Sequence, residues 1–346
     1  MRFLPDDEQQ AFARSLDGML AVAGTPAVVR AWAAGDTAPG RGVWAKLAEA
    51  GVFALAVPQR YDGVGPLPVE LVVAFTEMGR HAVPGPLVET VAVAAFLDRL
   101  GDDTAAAAWL PGIASGKTAA SLCLLSGDSP YALDAHAADA VFVVEGTAVR
   151  LAGAAGPVQS SADPARRLAR PLGGTVLARG PEVAAAAVHA ADVAALVTAA
   201  QALGLGRALL ARTVEYARRR TQFGVAIGSF QAVKHRLADT LIALEFAQPL
   251  VQAAGVALAA QDPASGRDIA AAKVTACEAA CAAARTALQV HGALGYTDEL
   301  DLSLWIRKAR ALRSAWGTPA ACRTRVLASR RRPCRRTGPG AKEAAW

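Results

Sequence analysis

Apolar residues recur at every third or fourth position through the first hundred residues, which is the spacing of one helix face. Phe12, Leu16 and Leu20 form such a stripe and predict a helix over residues 6–20. Further helices are predicted over residues 43–50, 69–80 and 87–100, with Gly51 as the C-terminal cap of the first of these. Residues 53–58 form a short apolar run that favours an extended segment. We therefore expect an N-terminal helical domain over residues 1–110.

The middle of the chain changes from helical periodicity to short apolar runs. Residues 119–125 and 140–144 are almost continuously apolar and are bounded by glycine, aspartate, serine or proline, a pattern typical of strands. Residues 149–151 and 175–177 are candidates for two more strands. Together these runs predict a small β domain over residues 111–182.

Long helical stripes return in the last part of the chain. Leu196, Leu203 and Leu210 mark one helix, and a second is marked by Phe230, Val233, Leu237, Leu241 and Leu244. The alanine-rich residues 269–290 predict a third. Antiparallel helices with such stripes pack as a bundle, which we expect over residues 183–328. The predicted fold class is therefore mostly α with a small central β domain.

The positive charge of the chain is concentrated at its C-terminal end. The formal net charge is +6, and residues 329–346 carry +5 of it, because six basic residues there stand against one glutamate. A nearly neutral body argues against a nucleic-acid-binding surface, so we expect no specific nucleic-acid partner. We predict that the basic tail is disordered. With 53% hydrophobic and 19% charged residues, the remainder is expected to fold.

The sequence also gives expectations about the cellular compartment of the protein. Residues 1–8 lack an apolar signal core, and the longest apolar stretch, residues 183–205, is interrupted by His189 and Asp192. We therefore expect no membrane span and a cytoplasmic protein. Five cysteines without paired spacing favour a reducing compartment. Cys277 and Cys281 lie four residues apart, but no nearby histidine completes a ligand set, so we expect two small buried residues and no metal site.

Four sequence motifs occur along the chain in an order that is informative about its family. WAKLAEAG stands at residues 44–51 and VPQRYDGVG at residues 57–65. RTQFG at residues 220–224 is followed by IGSFQ at residues 227–231, and QVHGALGY stands at residues 289–296. In this order the motifs resemble the acyl-CoA dehydrogenase family over roughly residues 5–328. The resemblance implies an N-terminal helical domain, a barrel-like β domain and a C-terminal four-helix bundle.

The resemblance implies FAD as the cofactor, held mainly by a neighbouring subunit. An arginine guanidinium offers two parallel donors to pyrophosphate oxygens, and glycine permits close backbone approach. By resemblance, the residues that contact FAD are Arg220, Gln222, Phe223, Gln231, Gln289, Val290, His291, Gly292, Ala293 and Thr318. Other interpretations remain open at this stage: Arg220 as a cation at a helix end, Phe223 as core and His291 as a surface residue.

The sequence departs from the family at the catalytic base. Trp316 stands where the family has the glutamate of its E-G-[TS] element, and an indole nitrogen is only a donor. A minority of the family place the glutamate on an earlier helix, at the position of Ala194, from which Asp192 would face elsewhere. We therefore predict no catalytic residue on this chain. Trp316 would fill the substrate cavity or, like Trp305, pack at a subunit contact.

The β domain departs from the family as well. The family's T-E-P-x-x-G-S-D loop is matched here only by LLSGD at residues 124–128, and no tryptophan lies between Trp109 and Trp305. Both elements bind the flavin ring and the acyl-CoA in the family. We therefore expect that this chain does not hold a flavin ring in its own β domain.

These departures predict a subunit of an acyl-CoA dehydrogenase that completes the FAD site of a catalytically complete paralogue in an α2β2 heterotetramer. The substrate would be an acyl-CoA, such as a steroid side chain or another bulky acyl group. One alternative is an independent homomeric dehydrogenase that uses Glu77, Glu89 or Glu245 as its base. The other is a non-catalytic binding protein on the same fold, whose tail arginines would give salt-sensitive nucleic-acid binding.

Overall fold

The computed structural model of the chain describes residues 5–125 and 129–329. Its N-terminal part consists of helices α1 (Asp7–Ala21), α2 (Thr25–Ala34), α3 (Ala38–Glu49), α4 (Pro68–Arg80), α5 (Leu87–Leu100) and α6 (Asp103–Ala114). The helices predicted over residues 6–20, 43–50, 69–80 and 87–100 are confirmed as α1, α3, α4 and α5. The Asp6 side chain caps α1 by accepting a hydrogen bond from the Gln9 backbone N–H.

Helices α2 and α6 were not predicted, and the segment between α3 and α4 differs from its prediction. Helix α2 begins with Pro26 in its first turn and ends at Gly35 in a left-handed conformation, which are local signals of helix limits. The prediction of an extended segment over residues 53–58 holds for Val57 and Pro58 but is wrong before them, because Ala54–Ala56 form a 3-10 turn. Val52, Phe53 and Leu55 are all buried there, and a compact turn buries consecutive side chains that a strand would point to opposite faces.

The β unit consists of two small sheets. Its strands are β1 (Ala120–Leu124), β2 (Ala132–Leu133), β3 (Ala140–Glu145), β4 (Ala148–Leu151), β5 (Ala154–Gln159), β6 (Leu168–Leu172) and β7 (Thr175–Arg179). One sheet has the order β1-β3-β4-β7, with β1 parallel to β3 and the other pairs antiparallel, and the second has the order β2-β6-β5. The strands predicted over residues 119–125, 140–144, 149–151 and 175–177 are confirmed as β1, β3, β4 and β7.

The C-terminal part consists of the long helices α7 (Pro181–Arg219), α8 (Gln231–Ala259) and α9 (Ser265–His291), followed by α10 (Leu302–Leu312) and α11 (Pro319–Ser329). A short hairpin of strands β8 (Thr221–Gln222) and β9 (Val225–Ala226) joins α7 to α8. Cys277 and Cys281 are buried on α9, as predicted. The prediction of a mostly helical fold with a small central β unit is confirmed.

Helices α7 and α8 are long and apolar enough to cross a membrane by length and composition alone. Of the apolar window of α7, 67% is buried inside the chain, as is usual for the central helix of a bundle. For α8 the corresponding share is 39%. Helix α8 therefore carries apolar residues that the rest of the described chain leaves uncovered.

Two glycines allow α4 and α7 to pack at very short distance. A Cβ atom on Gly79 of α4 would overlap the carbonyl oxygen of Gln201 on α7. A Cβ atom on Gly204 of α7 would overlap the carbonyl oxygen of Thr76 on α4. Any larger residue at either position would push the helices apart. This crossing fixes the N-terminal helices against the bundle.

Trp305 lies in the interior of the chain, with 0% of its surface exposed. Its indole Nε1 donates a hydrogen bond of 2.8 Å to the Arg80 backbone oxygen, and the Arg212 guanidinium lies 3.8 Å from the ring centroid. The hypothesis that Trp305 packs at a subunit contact is therefore wrong, because the ring is already enclosed by its own chain.

Candidate functional site

A cavity of about 620 Å³ lies between the β unit and the helices, a volume within the usual range of small-molecule sites. Its walls are formed by residues of the β unit, of α5, α7 and α9, and of the α10–α11 turn. The large apolar side chains of the lining are those of Leu122, Leu124, Leu133, Leu168, Ile269 and Trp316. Charged and hydroxyl side chains are contributed by Glu89, Arg166, Arg310, Arg325, Ser129, Tyr131, Ser161, Ser314 and Thr318.

Trp316 stands in the turn between α10 and α11 with a positive φ of 53°, a conformation that costs energy for a bulky side chain. Its indole Nε1 donates a hydrogen bond of 3.0 Å to Glu89 Oε1. Trp316 and Glu89 line both the 620 Å³ cavity and a smaller cavity of about 30 Å³ beside it. Trp316 therefore lies beside both cavities and does not fill the larger one.

Glu89 is a buried acid on the mostly apolar helix α5, with 3% of its surface exposed. Burial raises the pKa of its carboxyl group, while the positive charge of Arg166 and the hydrogen bond from Trp316 act in the opposite direction. Glu89 Oε2 is buried and has no hydrogen-bond partner among the described residues. Such an atom is costly unless something pairs with it.

A second buried acid lines the smaller cavity. Asp134 Oδ1 accepts a hydrogen bond of 3.0 Å from Trp32 Nε1, whereas its Oδ2 has no hydrogen-bond partner in the part of the chain that is described. Burial raises the pKa of Asp134 to about 7, and the charge of Glu89 adds to this rise. On the same cavity, Lys308 Nζ lies 3.1 Å from Asp163 Oδ2, forming a buried ion pair.

Neither family position for the base holds a carboxylate that faces the cavity. Ala194 is completely buried on α7. Asp192 is held by Arg325, whose Nη2 lies 2.8 Å from Asp192 Oδ2. Of the other acids considered as a base, Glu77 binds Arg80 at 2.8 Å and Glu245 binds Arg207 at 2.9 Å. Glu89 is the acid that the structure brings next to Trp316.

The predicted cofactor-contacting residues of the hairpin region lie at another end of the bundle. Arg220 directly follows α7 and its side chain is exposed, as are those of Gln222 and Gln231. Phe223 has a φ of 54° and is 92% exposed. The interpretation of Phe223 as a core residue is therefore wrong within this chain, because the hairpin turn directs it outward.

The end of α9 lies beside this hairpin. The His291 ring stacks on the Tyr216 ring with centroids 4.0 Å apart, and Tyr216 accepts the Arg220 backbone N–H through its carbonyl oxygen. His291 is buried and its Nδ1 lies 2.8 Å from the Ala287 oxygen, so the interpretation as a surface histidine is wrong. Burial lowers the pKa of His291. Gln289, Gly292 and Ala293 are exposed, and Val290 is half-buried.

The predicted cofactor residues therefore form two groups. Those of the hairpin and of the end of α9, which we call the hairpin end, lie together. Thr318 instead lines the 620 Å³ cavity. Ala195 of α7 also lines that cavity, and the helix from Ala195 to Arg219 extends about 36 Å at 1.5 Å per residue. One cavity and one hairpin end thus occupy distant parts of the chain.

Some predictions concern residues that the structure does not describe. Residues 126–128 of the LLSGD segment and residues 330–346 of the basic tail lie outside the described residues. Within the described residues, no group of three or more histidine, cysteine, aspartate or glutamate side chains could hold a metal ion. The sequence did not single out Asp134, Arg166 or Lys308; a glutamate inside an apolar helix was the signal available for Glu89.

Comparisons with known proteins agree with this architecture. Residues 6–117 match the acyl-CoA dehydrogenase N-terminal domain, and residues 184–330 match the acyl-CoA dehydrogenase C-terminal domain. The chain is 33% identical over 308 residues to the acyl-CoA dehydrogenase IpdE2 of Mycobacterium tuberculosis, covering 88% of this chain and 92% of that protein.

Two solved structures share the fold. A chain of the ChsE4–ChsE5 complex from Mycobacterium tuberculosis has a TM-score of 0.81 at 24% identity, covering 96% of this chain and 100% of that one. A chain of the Tcur3481–Tcur3483 steroid ACAD, studied as its G363A variant, has a TM-score of 0.80 at 23% identity, covering 93% and 97%.

Proposed function

Because the chain belongs to the acyl-CoA dehydrogenase family, we propose that it is one subunit of an FAD-dependent acyl-CoA dehydrogenase and completes the FAD site of a partner subunit. The observation that carries this proposal is the exposure of hydrogen-bond donors at the hairpin end. Its donor side chains Arg220, Gln222, Gln231 and Gln289 are exposed and lie far from the chain's own cavity. They are available to a cofactor held by another chain.

The donors of the hairpin end fit a dinucleotide. The Arg220 guanidinium would bind pyrophosphate oxygens, and the amides of Gln231 and Gln289 would bind polar groups of the flavin or ribityl chain. Phe223, turned outward by its hairpin, would cover an apolar face of the bound group. Bound FAD would supply the oxidising power for removal of a hydride from the β carbon of an acyl thioester.

The removal of the α proton falls to the partner in this proposal. Trp316 cannot accept a proton, Ala194 has no titratable group, and Asp192 is engaged by Arg325. A chain with these residues retains a cofactor-contacting end without the family's own base. We propose that a paralogous acyl-CoA dehydrogenase subunit supplies the base.

The uncovered residues of α8 supply a surface for such a partner. Ile242, Phe246 and Leu250 recur at four-residue spacing and are exposed, Phe246 at 71%. We call them the α8 apolar face. A contiguous apolar stripe on a soluble domain is typical of an interface. Because α8 begins directly after the hairpin, a second chain bound to this face would lie along the helix that starts beside Arg220.

The similar structures support a heteromer. ChsE4–ChsE5 is a complex, and Tcur3481–Tcur3483 is named as a pair and as a steroid enzyme. We propose by analogy an α2β2 assembly in the cytoplasm that acts on a bulky acyl-CoA, with a steroid side chain as the first substrate class to test.

One contact favours a second candidate function. Because Trp316 binds Glu89 at the family's base position, a homomeric dehydrogenase with Glu89 as its base is also consistent with the cavity. That function requires flavin in the chain's own cavity and an ionised Glu89. The two candidates therefore differ in where the flavin is found.

The test is the flavin absorbance of the chain purified alone and co-expressed with an acyl-CoA dehydrogenase encoded beside its gene. We expect a colourless chain and a yellow complex. In the complex, Arg220→Ala should weaken flavin retention about tenfold, since a hydrogen bond to a charged group contributes about 1.5–3 kcal/mol.

Arg218→Ala is the matched control, because Arg218 is an exposed arginine two residues earlier on α7, and it should leave flavin content unchanged. Stoichiometric flavin in the chain alone, bleached by an acyl-CoA and no longer bleached in the Glu89→Gln variant, would instead establish the homomeric enzyme.

A further inference from the structure

The donors of the hairpin end are carried by two separate helices. Arg220 and Gln222 follow the last residue of α7, whereas Gln289 lies in the last turn of α9 and Gly292 directly follows that helix. Donors on two helices bind one dinucleotide together only if the spacing between the two helix ends is fixed. A residue that fixes this spacing would support cofactor binding without touching the cofactor.

A pair of stacked rings joins the two helix ends. The His291 ring lies on the Tyr216 ring with centroids 4.0 Å apart and an angle of 26° between their planes. Small side chains form shallow ridges that let one helix slide along another, whereas stacked rings resist such a movement. The other buried residues over residues 213–219 and 283–291 are all small: Thr213, Ala217, Ala283, Ala284, Thr286 and Ala287.

Tyr216 connects this stack to Arg220. It lies one helical turn before Arg220, and its carbonyl oxygen accepts the Arg220 backbone N–H at 2.8 Å. The Arg220 carbonyl oxygen in turn accepts the Ile227 backbone N–H at 2.8 Å, which closes the hairpin. The Arg220 backbone is thus held on two sides, and the side that leads to α9 passes through Tyr216.

The His291 ring is also held by its own helix. Its Nδ1 lies 2.8 Å from the Ala287 carbonyl oxygen, which can only accept, so Nδ1 is the protonated nitrogen. His291 is 6% exposed, and burial lowers the pKa of its ring, so the ring is neutral near pH 7. One face and one nitrogen of this ring are therefore already engaged within the chain.

We propose that His291 is a positioning residue of the hairpin end and not a contact of the cofactor. By stacking on Tyr216, it sets the distance between Arg220 at the end of α7 and Gln289 at the end of α9, so that both reach one dinucleotide. This role rests on the proposed function, because it requires that these donors bind the FAD of a partner subunit. The contact that the family resemblance implies for His291 is replaced by an indirect role.

Two substitutions separate positioning from contact. His291→Phe keeps an aromatic ring for Tyr216 but has no nitrogen that could bind a cofactor. His291→Gln keeps a hydrogen-bonding group but has no ring to stack. If His291 positions Arg220, His291→Phe is tolerated and His291→Gln is not. If His291 contacts the cofactor through its nitrogen, the reverse holds.

The test is the dissociation constant of FAD from the complex with the partner subunit, measured by flavin fluorescence for the parent and both variants. We expect His291→Gln to weaken FAD binding about fivefold, as the loss of one aromatic pair allows, and His291→Phe to bind like the parent. In an Arg220→Ala background, His291→Gln should have no further effect, because the donor that His291 positions is already absent.

Phe53→Leu is the matched control. It removes a stack of similar geometry, in which the Phe53 and Trp44 rings lie 4.2 Å apart at 25° among the N-terminal helices. This variant should leave the FAD affinity of the folded complex unchanged.

Hydrogen exchange of the same complexes without FAD adds a readout that does not depend on the cofactor. The peptide over residues 220–227 should exchange faster in His291→Gln and like the parent in His291→Phe, because the amides of Arg220 and Ile227 close the hairpin. Equal exchange in all three proteins, parent-like FAD binding by His291→Gln, or an equal loss of FAD binding in both variants would each overturn the proposal. Parent-like FAD binding by Arg220→Ala would instead overturn the proposed function, while hydrogen exchange would still decide whether His291 holds the hairpin.

Discussion

Trp316 Nε1 donates a hydrogen bond of 3.0 Å to Glu89 Oε1, joining residues that are 227 positions apart in the sequence. The donor stands in a turn with positive φ, and the acceptor stands in the first turn of the buried helix α5. The residue at the family's base position is thus hydrogen-bonded to a buried acid. The bond links α5 to the α10–α11 turn at the wall that both cavities share.

Loss of the indole donor should destabilise the fold through Glu89. Trp316→Phe removes the donor to Glu89 Oε1 and leaves that buried oxygen unpaired, which should lower the free energy of unfolding by about 1–3 kcal/mol. In a Glu89→Met background the same change should cost clearly less, and urea unfolding of the four proteins measures the difference. Trp109→Phe should cost the same in both backgrounds, because Trp109 packs on Phe142 instead. Equal costs of Trp316→Phe in both backgrounds would show that the bond contributes nothing.

Asp134 should make stability depend on pH. Burial raises the pKa of Asp134 to about 7, whereas an unfolded aspartate titrates near 3.9. The folded state therefore holds its proton more tightly, so stability is full below about pH 4, falls between about pH 4 and 7, and is constant above. Asp134→Asn lacks this loss and should be more stable than the parent by up to about 4 kcal/mol near pH 8, with little gain near pH 4. Urea unfolding at both pH values checks this, and a gain that is independent of pH would contradict it.

The α8 apolar face should be required for association. Phe246→Arg removes the burial of an aromatic side chain and introduces a charge into the interface, which should weaken binding of the partner subunit more than tenfold. Co-purification and sedimentation of the complex measure the effect. Val22→Arg is the control, since Val22 is 82% exposed and lies outside the α8 apolar face. If both variants associate like the parent, the partner lies elsewhere.

The crossing of α4 and α7 should not tolerate a methyl group. Gly204→Ala places a Cβ atom against the Thr76 carbonyl oxygen and should destabilise the chain by about 1–3 kcal/mol. Gly18→Ala, on the open side of α1, has no atom within 4 Å of the new Cβ and should be neutral or stabilising by up to about 1 kcal/mol. Thermal unfolding of both variants provides the comparison. Similar midpoints for the two would mean that the helices can separate without cost.

The parts of the fold that the sequence predicted are those with local signals. Helix α5 was predicted to its observed limits, because its apolar residues follow Pro86 and precede Gly101. Strands β1 and β3 were found for a similar reason, since both are continuous apolar runs. Strands β5 and β6 were missed because Pro157 and Pro171 interrupt them and because neither strand is a continuous apolar run.

The candidate site was less predictable, because its contacts are not local. Nothing in the sequence near Glu89 points to Trp316, and the sequence left Glu77, Glu89 and Glu245 as equal alternatives. Phe223 shows a second limit of prediction from sequence, which concerns side-chain exposure. An apolar residue favours a core position by type, and its 92% exposure follows from a hairpin turn whose direction only the assembled bundle determines.

Helix α7 runs without interruption from Pro181 to Arg219, about 58 Å at 1.5 Å per residue. It acts as a rigid spacer, so no chain can bring its own cavity and its own hairpin end to the same cofactor molecule. If each flavin is shared as proposed, cofactor retention becomes a matter of mass action. Dilution that separates the chains would release flavin, and added flavin would hold the chains together.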